Sequence, residues 1–241
     1  MTEFELLVLA GITIVAGVVS TVAGMGGGIV LLASTTLILP ISTVIPLNGV
    51  LILGSMISRV WHFHPYINWK VALPFALGSL IGAMVGALTF TLMSEFVISL
   101  ALSITIIAII WLPPMQSKLS VPHPFVWIGG LHTWLSAVTG LGGLLQGIML
   151  RSQFSREVII ATIAASMLSM SLLKTAGYVW VGFDYNPYLS AIVVAIVYGF
   201  IGTWLGKRCL ALVSEAQFRF LLRWLLTLFA IRLFWKSWSY Y

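Results

Sequence analysis

Long apolar runs follow one another along nearly the whole chain, interrupted by short polar, glycine-rich or proline-rich breaks. Each approaches the ~20 residues that a helix needs to cross a ~30 Å hydrocarbon core. Read between breakers, the first half predicts a helix over 6–23, a glycine break and a half-helix over 29–39, then helices over 43–61, 70–93 and 95–112. A connector with Pro113, Pro114, Pro122 and Pro124 follows. The second half predicts a helix over 124–139, another glycine break, a half-helix to 151, and helices over 156–180, 188–207 and 215–236.

The same pattern thus runs twice. Val22-Ala23-Gly24-Met25-Gly26-Gly27 returns as Val138-Thr139-Gly140-Leu141-Gly142-Gly143. Asn48 and Thr162 each stand seven residues before a Ser-Met pair, Ser55-Met56 and Ser169-Met170. Gly82, Gly86, Ser94 and Glu95 match Gly202, Gly206, Ser214 and Glu215 at a constant offset of 120. Agreement at three places in the same order marks a duplication rather than a coincidence of apolar sequence. The expected fold is an all-α integral membrane protein of two inverted repeats, each a glycine-broken re-entrant hairpin plus three transmembrane helices. Residues 1–112 form the first repeat, 113–123 the connector and 124–241 the second.

Composition agrees: 60% of the 241 residues are hydrophobic and 7% charged, against roughly 25% charged in a soluble domain. Nothing large is left for a soluble domain. The acidic start, with Glu3 and Glu5, is unlike the basic opening of a cleaved signal peptide, so the first helix is expected to be retained. The single cysteine, Cys209, excludes an internal disulfide and any multi-cysteine metal site.

Orientation follows from counting Lys and Arg in short loops. With hairpins that return to their starting side and an outside N-terminus, Arg59, Lys70, Lys118, Arg151, Arg156, Lys207, Arg208, Arg219 and Arg223 face the cytoplasm, while Glu3, Glu5, Glu95 and Asp184 fall outside. Only Arg232 and Lys236 are clearly misplaced. A rival topology, with each break inside one spanning helix, moves several basic loops outward and ranks second. The expected location is a cell membrane, multi-pass, as in a bacterial inner membrane.

Irregular backbone inside a bilayer is tolerated only where protein or a water-filled cavity covers it. Two matched breaks therefore suggest a polar site at the centre of a transporter. A helix start offers unpaired N–H groups and a positive dipole end, which suit an anion. On this reading Gly26, Gly27, Gly28, Gly142 and Gly143 line the site, with Thr139 beside the second break. The alternative is that these glycines serve only tight packing. A polar stripe follows each hairpin: Asn48, Ser55 and Arg59 in one half, Thr162, Ser166 and Ser169 in the other. Its members touch substrate or merely bond neighbouring helices. Arg59 and Lys174 are read as charges at the mouths of the pathway or as anchors that snorkel to opposite interfaces. Gly78, Gly82, Gly86, Gly202 and Gly206 are read as packing residues.

His62, His64, His123 and His132 form no ligand set and are expected at the surface or an interface. No cofactor and no metal are expected. No Asp or Glu lies mid-helix, so a carboxylate proton relay is unsupported, and no catalytic residues or nucleophile–base pair point to an enzyme. The expected partners are a small anionic substrate and the lipid bilayer; a homodimer is left open, and no nucleic acid is expected. A channel-like anion pathway and a membrane assembly subunit remain as alternatives.

These residues resemble the TauE/SafE family of sulfite and organosulfonate permeases. The resemblance rests on Val22 through Gly28, on Val138 through Gly143, on Ala161-Thr162, on Gly202-x3-Gly206-x-Arg208, and on Ser214-Glu215-x2-Phe218-Arg219. It implies a carrier exporting sulfite, a sulfonate or a carboxylate. In this chain Leu31-Leu32-Ala33-Ser34 stands where the family often carries a proline.

Overall fold

The computed structural model describes residues 2–22, 27–111, 122–149 and 152–209, together with Trp224, Thr227, Ala230, Ile231, Phe234 and Trp235. The helix expected over 215–236 lies, apart from those isolated residues, outside the described ones, as do Ala23 to Gly26 and most of the connector.

The described residues are helical apart from short turns and loops. In the first half, α1 (Glu3–Val22), α2 (Gly27–Thr35), α3 (Ile41–Leu51), α4 (Leu53–Phe63), α5 (Trp69–Thr91) and α6 (Glu95–Trp111) follow in order. In the second come α7 (Pro124–Thr139), α8 (Leu144–Met149), α9 (Arg156–Trp180) and α10 (Leu189–Cys209). Five helical stretches are long and apolar enough to cross a membrane: Glu3–Thr21, Ile41–Tyr66, Trp69–Thr91, Glu157–Trp180 and Asn186–Arg208. At 9 residues, α2 reaches only ~14 Å at 1.5 Å per residue, about half the hydrocarbon core.

One expected helix is split. The span predicted over 43–61 divides at Ile52 into α3 and α4. Pro46 inside α3 brings no N–H to the ladder, and its carbonyl accepts a bond from the Tyr185 hydroxyl at 3.3 Å. Two caps fit local chemistry: Asn68 opens α5 by accepting the Lys70 N–H, and Ser155 opens α9 by accepting that of Val158.

Glycines set the helix pairings by letting backbones touch. A Cβ on Gly82 or Gly78 would strike the backbone of α7 at Gly130 or Val126, and one on Gly86 would meet Trp134 and Ala137. In the other half, a Cβ on Gly202 would meet Ile14 of α1, and one on Gly206 would meet Val18 and Thr21. Ile14, Val18 and Thr21 precede Gly24 by the same steps as Gly130, Trp134 and Ala137 precede Gly140. So the first helix of each half packs on the glycine-bearing long helix of the opposite half: α7 on α5 and α1 on α10.

The contacts also fix direction. Gly17 and Thr21 meet Gly202 and Gly206 in ascending order, and Gly54 faces Ile196 while Phe63 lies under Lys207, so α1, α4 and α10 run together. Gly78 to Gly86 ascend along α7, and Asn68 and Ala83 meet Thr162 and Gly177 of α9, so α5, α7 and α9 run together. Gly49 lies beside Lys174 whereas Asn68 lies beside Thr162, which sets the two groups antiparallel. Outward faces are apolar, with Leu73, Leu77, Ile81 and Leu88 of α5 exposed as lipid would require. Trp61, Trp69, Trp111 and Trp180 are exposed at helix ends, the level of the headgroups.

Candidate functional site

The second break has a defined geometry. Gly140 ends α7 in the left-handed region, φ 76°, where glycine is favoured, and Leu141 to Gly143 are non-helical. The Thr139 hydroxyl donates to the Leu135 carbonyl at 2.8 Å and accepts the Leu141 N–H at 3.3 Å. Asn48, from α3, donates its Nδ2 to the Gly140 carbonyl at 3.0 Å, while its Oδ1 has no partner among the described residues. A side chain on Gly140 would collide with Leu32 of α2. The first half thus holds the second half's break in place.

Each half buries one cation against a serine four residues ahead of the first glycine of its phrase. Arg59 donates Nη2 to Ser20 at 2.8 Å and to Ser55 at 3.2 Å, with Nε reaching the Ser55 carbonyl at 3.4 Å. Lys174 donates Nζ to the hydroxyl and to the carbonyl of Ser136, both at 3.4 Å. Exposure is 8% for Arg59 and 1% for Lys174, so neither snorkels to an interface. Among the described residues neither has a carboxylate partner. Glu3, Glu5, Glu95 and Glu157 mark helix starts, Glu95 accepting from Ser42 at 2.6 Å, and Asp184 lies in the turn before α10.

Ser20, Ser55, Gly27 and Gly28 line a cavity of about 20 Å³ with Thr13, Leu31 and Met56. That is room for roughly one water. Gly28 is open, with nothing within 4 Å of an added Cβ, whereas one on Gly27 would strike the Ala16 carbonyl and Ser20. Gly27 is therefore a packing residue as well as a cavity-lining one. Gly26 lies outside the described residues.

The remaining stripe is divided. Thr162 accepts the Asn68 N–H at 3.0 Å and so fixes the turn into α5. Ser169 donates to the Ser166 carbonyl at 2.8 Å, and the Ser166 hydroxyl is buried without a partner among the described residues. Gly142 lies against His132, and Gly143 directly precedes α8.

Glycine-mediated pairing of long helices and a buried cation recur in each half, and the family comparison covers both. The family described as sulfite exporter TauE/SafE matches residues 9–233. The chain belongs to the TauE/SafE family. No match was found among curated proteins or among solved structures. TauE/SafE proteins are membrane transporters, which accords with the apolar helices of this chain.

One residue of this TauE/SafE protein departs from its sequence reading. His132, expected at a surface or interface, is fully buried. Its ring packs edge-on against Phe75, with centroids 5.5 Å apart, and its Nδ1 accepts the Leu145 N–H at 3.2 Å. The signal was present in the polar spacing of α7: His132, Thr133, Ser136 and Thr139 recur at helical intervals ahead of the glycine phrase. Among the described residues no group of three or more His, Cys, Asp or Glu is placed to hold a metal ion.

Proposed function

We propose that this protein exports sulfite or a related organosulfur or carboxylate anion across a cell membrane, through a midplane site between the two glycine breaks. The observation that carries the reading is the pair of buried cations, Arg59 and Lys174, without carboxylate partners among the described residues. A charge inside a membrane protein is costly unless something neutralises it. A permeating anion supplies that charge.

The swapped helix pairs support an inverted repeat: exchanging the halves exchanges α1 with α7 and α5 with α10, and with them the two antiparallel groups. Re-entrant hairpins are supported by α2, which starts beside Ala16 and Ser20 and puts Leu31 on a cavity with Thr13, folding back along α1. One end of the bundle gathers Lys70, Lys207 and Arg208, the other Glu3, Glu5, Glu95 and Asp184. By the positive-inside rule the basic end is cytoplasmic, the N-terminus is outside, and a bacterial inner membrane is the natural setting. A cavity with room for one water suits an occluded carrier that alternates access better than an open channel. For an anion leaving a cell that is negative inside, the potential favours exit by ~2.3 kcal/mol per charge per 100 mV, so export needs no coupling ion.

The test is efflux of labelled sulfite, sulfate, sulfonates and small carboxylates from liposomes containing the purified protein, with and without an imposed potential. Saturable flux of one anion, accelerated by the potential, is expected. No flux of any anion under either condition would sink the carrier reading and favour an assembly role.

A further inference from the structure

Ahead of the second break α7 carries a histidine, His132, where the matching position of α1 is Ala16. His132 accepts the Leu145 N–H on Nδ1, so the neutral ring holds its proton on Nε2. Nε2 is fully buried and has no partner among the described residues. It points at the break: the atom nearest to a Cβ placed on Gly142 would be His132 Nε2. One turn further along α7, Ser136 holds the Lys174 ammonium. An N–H donor thus faces Gly142, and a cation is held one turn further along the same helix. The imidazole passes the donor character of the Leu145 amide across its ring to the face of the break. At the matching place in the first half, eight residues before Gly24 rather than Gly140, stands Ala16, which donates nothing.

An unpaired N–H in a dry interior is costly, and such groups in native proteins call for an explanation. We propose that His132 is a substrate-contacting residue of the exporter, donating Nε2–H to one oxygen of an oxyanion whose charge Lys174 neutralises. This assignment rests on the export reading. It makes the second half the tighter anion site and selects oxyanions over halides, because a fixed N–H with a cation one turn along the helix rewards a ligand with several directional acceptor atoms.

The test uses full-length protein in lipid nanodiscs, with 15N-labelled histidine, titrated with sodium sulfite and separately with sodium chloride. Only four histidines are present, and the signal lost in His132→Gln identifies the one in question. A neutral ring protonated on Nε2, whose Nε2 signal moves with sulfite and not with chloride, is expected. In liposomes, His132→Phe should raise KM for sulfite efflux at least about tenfold, the loss of a charge-assisted hydrogen bond, and His132→Gln, which restores a donor at similar reach, should recover part of it. Wild-type flux with an unmoved signal, or unchanged KM in a folded His132→Phe protein, would overturn the assignment and leave the export reading standing. Should His132→Phe fail to fold, the titration and His132→Gln decide. A moved signal without flux would sustain the sulfite contact and remove the export reading; neither signal nor flux would remove both.

Discussion

Lys174 reaches across from α9 to Ser136 of α7, and both of its hydrogen bonds, at 3.4 Å, end on that one residue. An ammonium has three protons to place, and it is buried at 1% exposure. Breaking a buried pair is costly, but replacing a poorly compensated buried charge with an apolar group of similar size is often stabilising. Lys174→Met is therefore expected to raise the melting temperature by a few degrees, at ~2–4 °C per kcal/mol for a chain of this size, while anion efflux falls more than about tenfold. Thermal denaturation in detergent and liposome flux check both halves. A lower melting temperature with unchanged flux would make Lys174 a structural anchor.

Arg59 differs from Lys174 in using a planar group to bridge Ser20 and Ser55. Lysine has the charge but not the fork. Arg59→Lys should keep measurable transport with a raised KM, and Arg59→Gln should abolish it. Saturation curves for both variants separate the charge from the geometry; equal activity in the two would deny the charge any role.

Gly82 and Gly202 are matched tests of the helix pairing. A Cβ on either would press on opposing backbone, at Gly130 or Ile14, which cannot yield as a flexible side chain can. Overpacking of this kind costs ~1–3 kcal/mol. Gly82→Ala and Gly202→Ala should each lower the melting temperature, by similar amounts, whereas Gly11→Ala, with nothing within 4 Å, should not.

Gly27 and Gly28 part ways in the same assay. Gly28→Ala adds a methyl beside a cavity of about 20 Å³ without a clash. It should leave the melting temperature unchanged and slow efflux, while Gly27→Ala, driven against Ala16 and Ser20, should lose stability first. Equal melting temperatures for the two would contradict the packing at Gly27.

Asn48→Leu should destabilise by ~1–3 kcal/mol, because it leaves the buried Gly140 carbonyl without its partner. Gly140 keeps its N–H bond to Ser136 at 2.9 Å, so α7 should persist while the break loosens. Faster hydrogen exchange at Leu141 to Gly143, without change in α5, is the expected signature.

The element boundaries were legible because helix formation in an apolar setting is local. Each helix closes its hydrogen bonds within itself, so hydropathy and breakers place α7 at 124–139 and α9 at 156–180 from the chain alone. The division at Ile52 is the exception: the span 43–61 reads as one apolar run, and the structure gives α3 and α4. The glycine spacing read as packing proved to be that for Gly78, Gly82, Gly86, Gly202 and Gly206. The candidate site was less legible. Thr162 and Asn48 share a register in the two halves, yet one fixes the turn into α5 and the other holds the opposite break. His132 looked unremarkable because its meaning lies in Leu145, Phe75 and Gly142, three residues on two other helices and a loop.

By itself the sequence determined that this is a membrane protein of duplicated pattern, where most of its described helices begin and end, and which glycines fall between them, since these follow from hydropathy, backbone hydrogen bonding and residue size. Tertiary structure alone decided that Arg59 and Lys174 are buried rather than drawn to the interfaces, that Gly27 is packed and Gly28 open, and that His132 faces the second break. The reason is geometric. The rotation of each helix about its own axis, which sets where a side chain points, is fixed by the glycine contacts between helices distant in sequence, and those contacts have no energy until the helices meet.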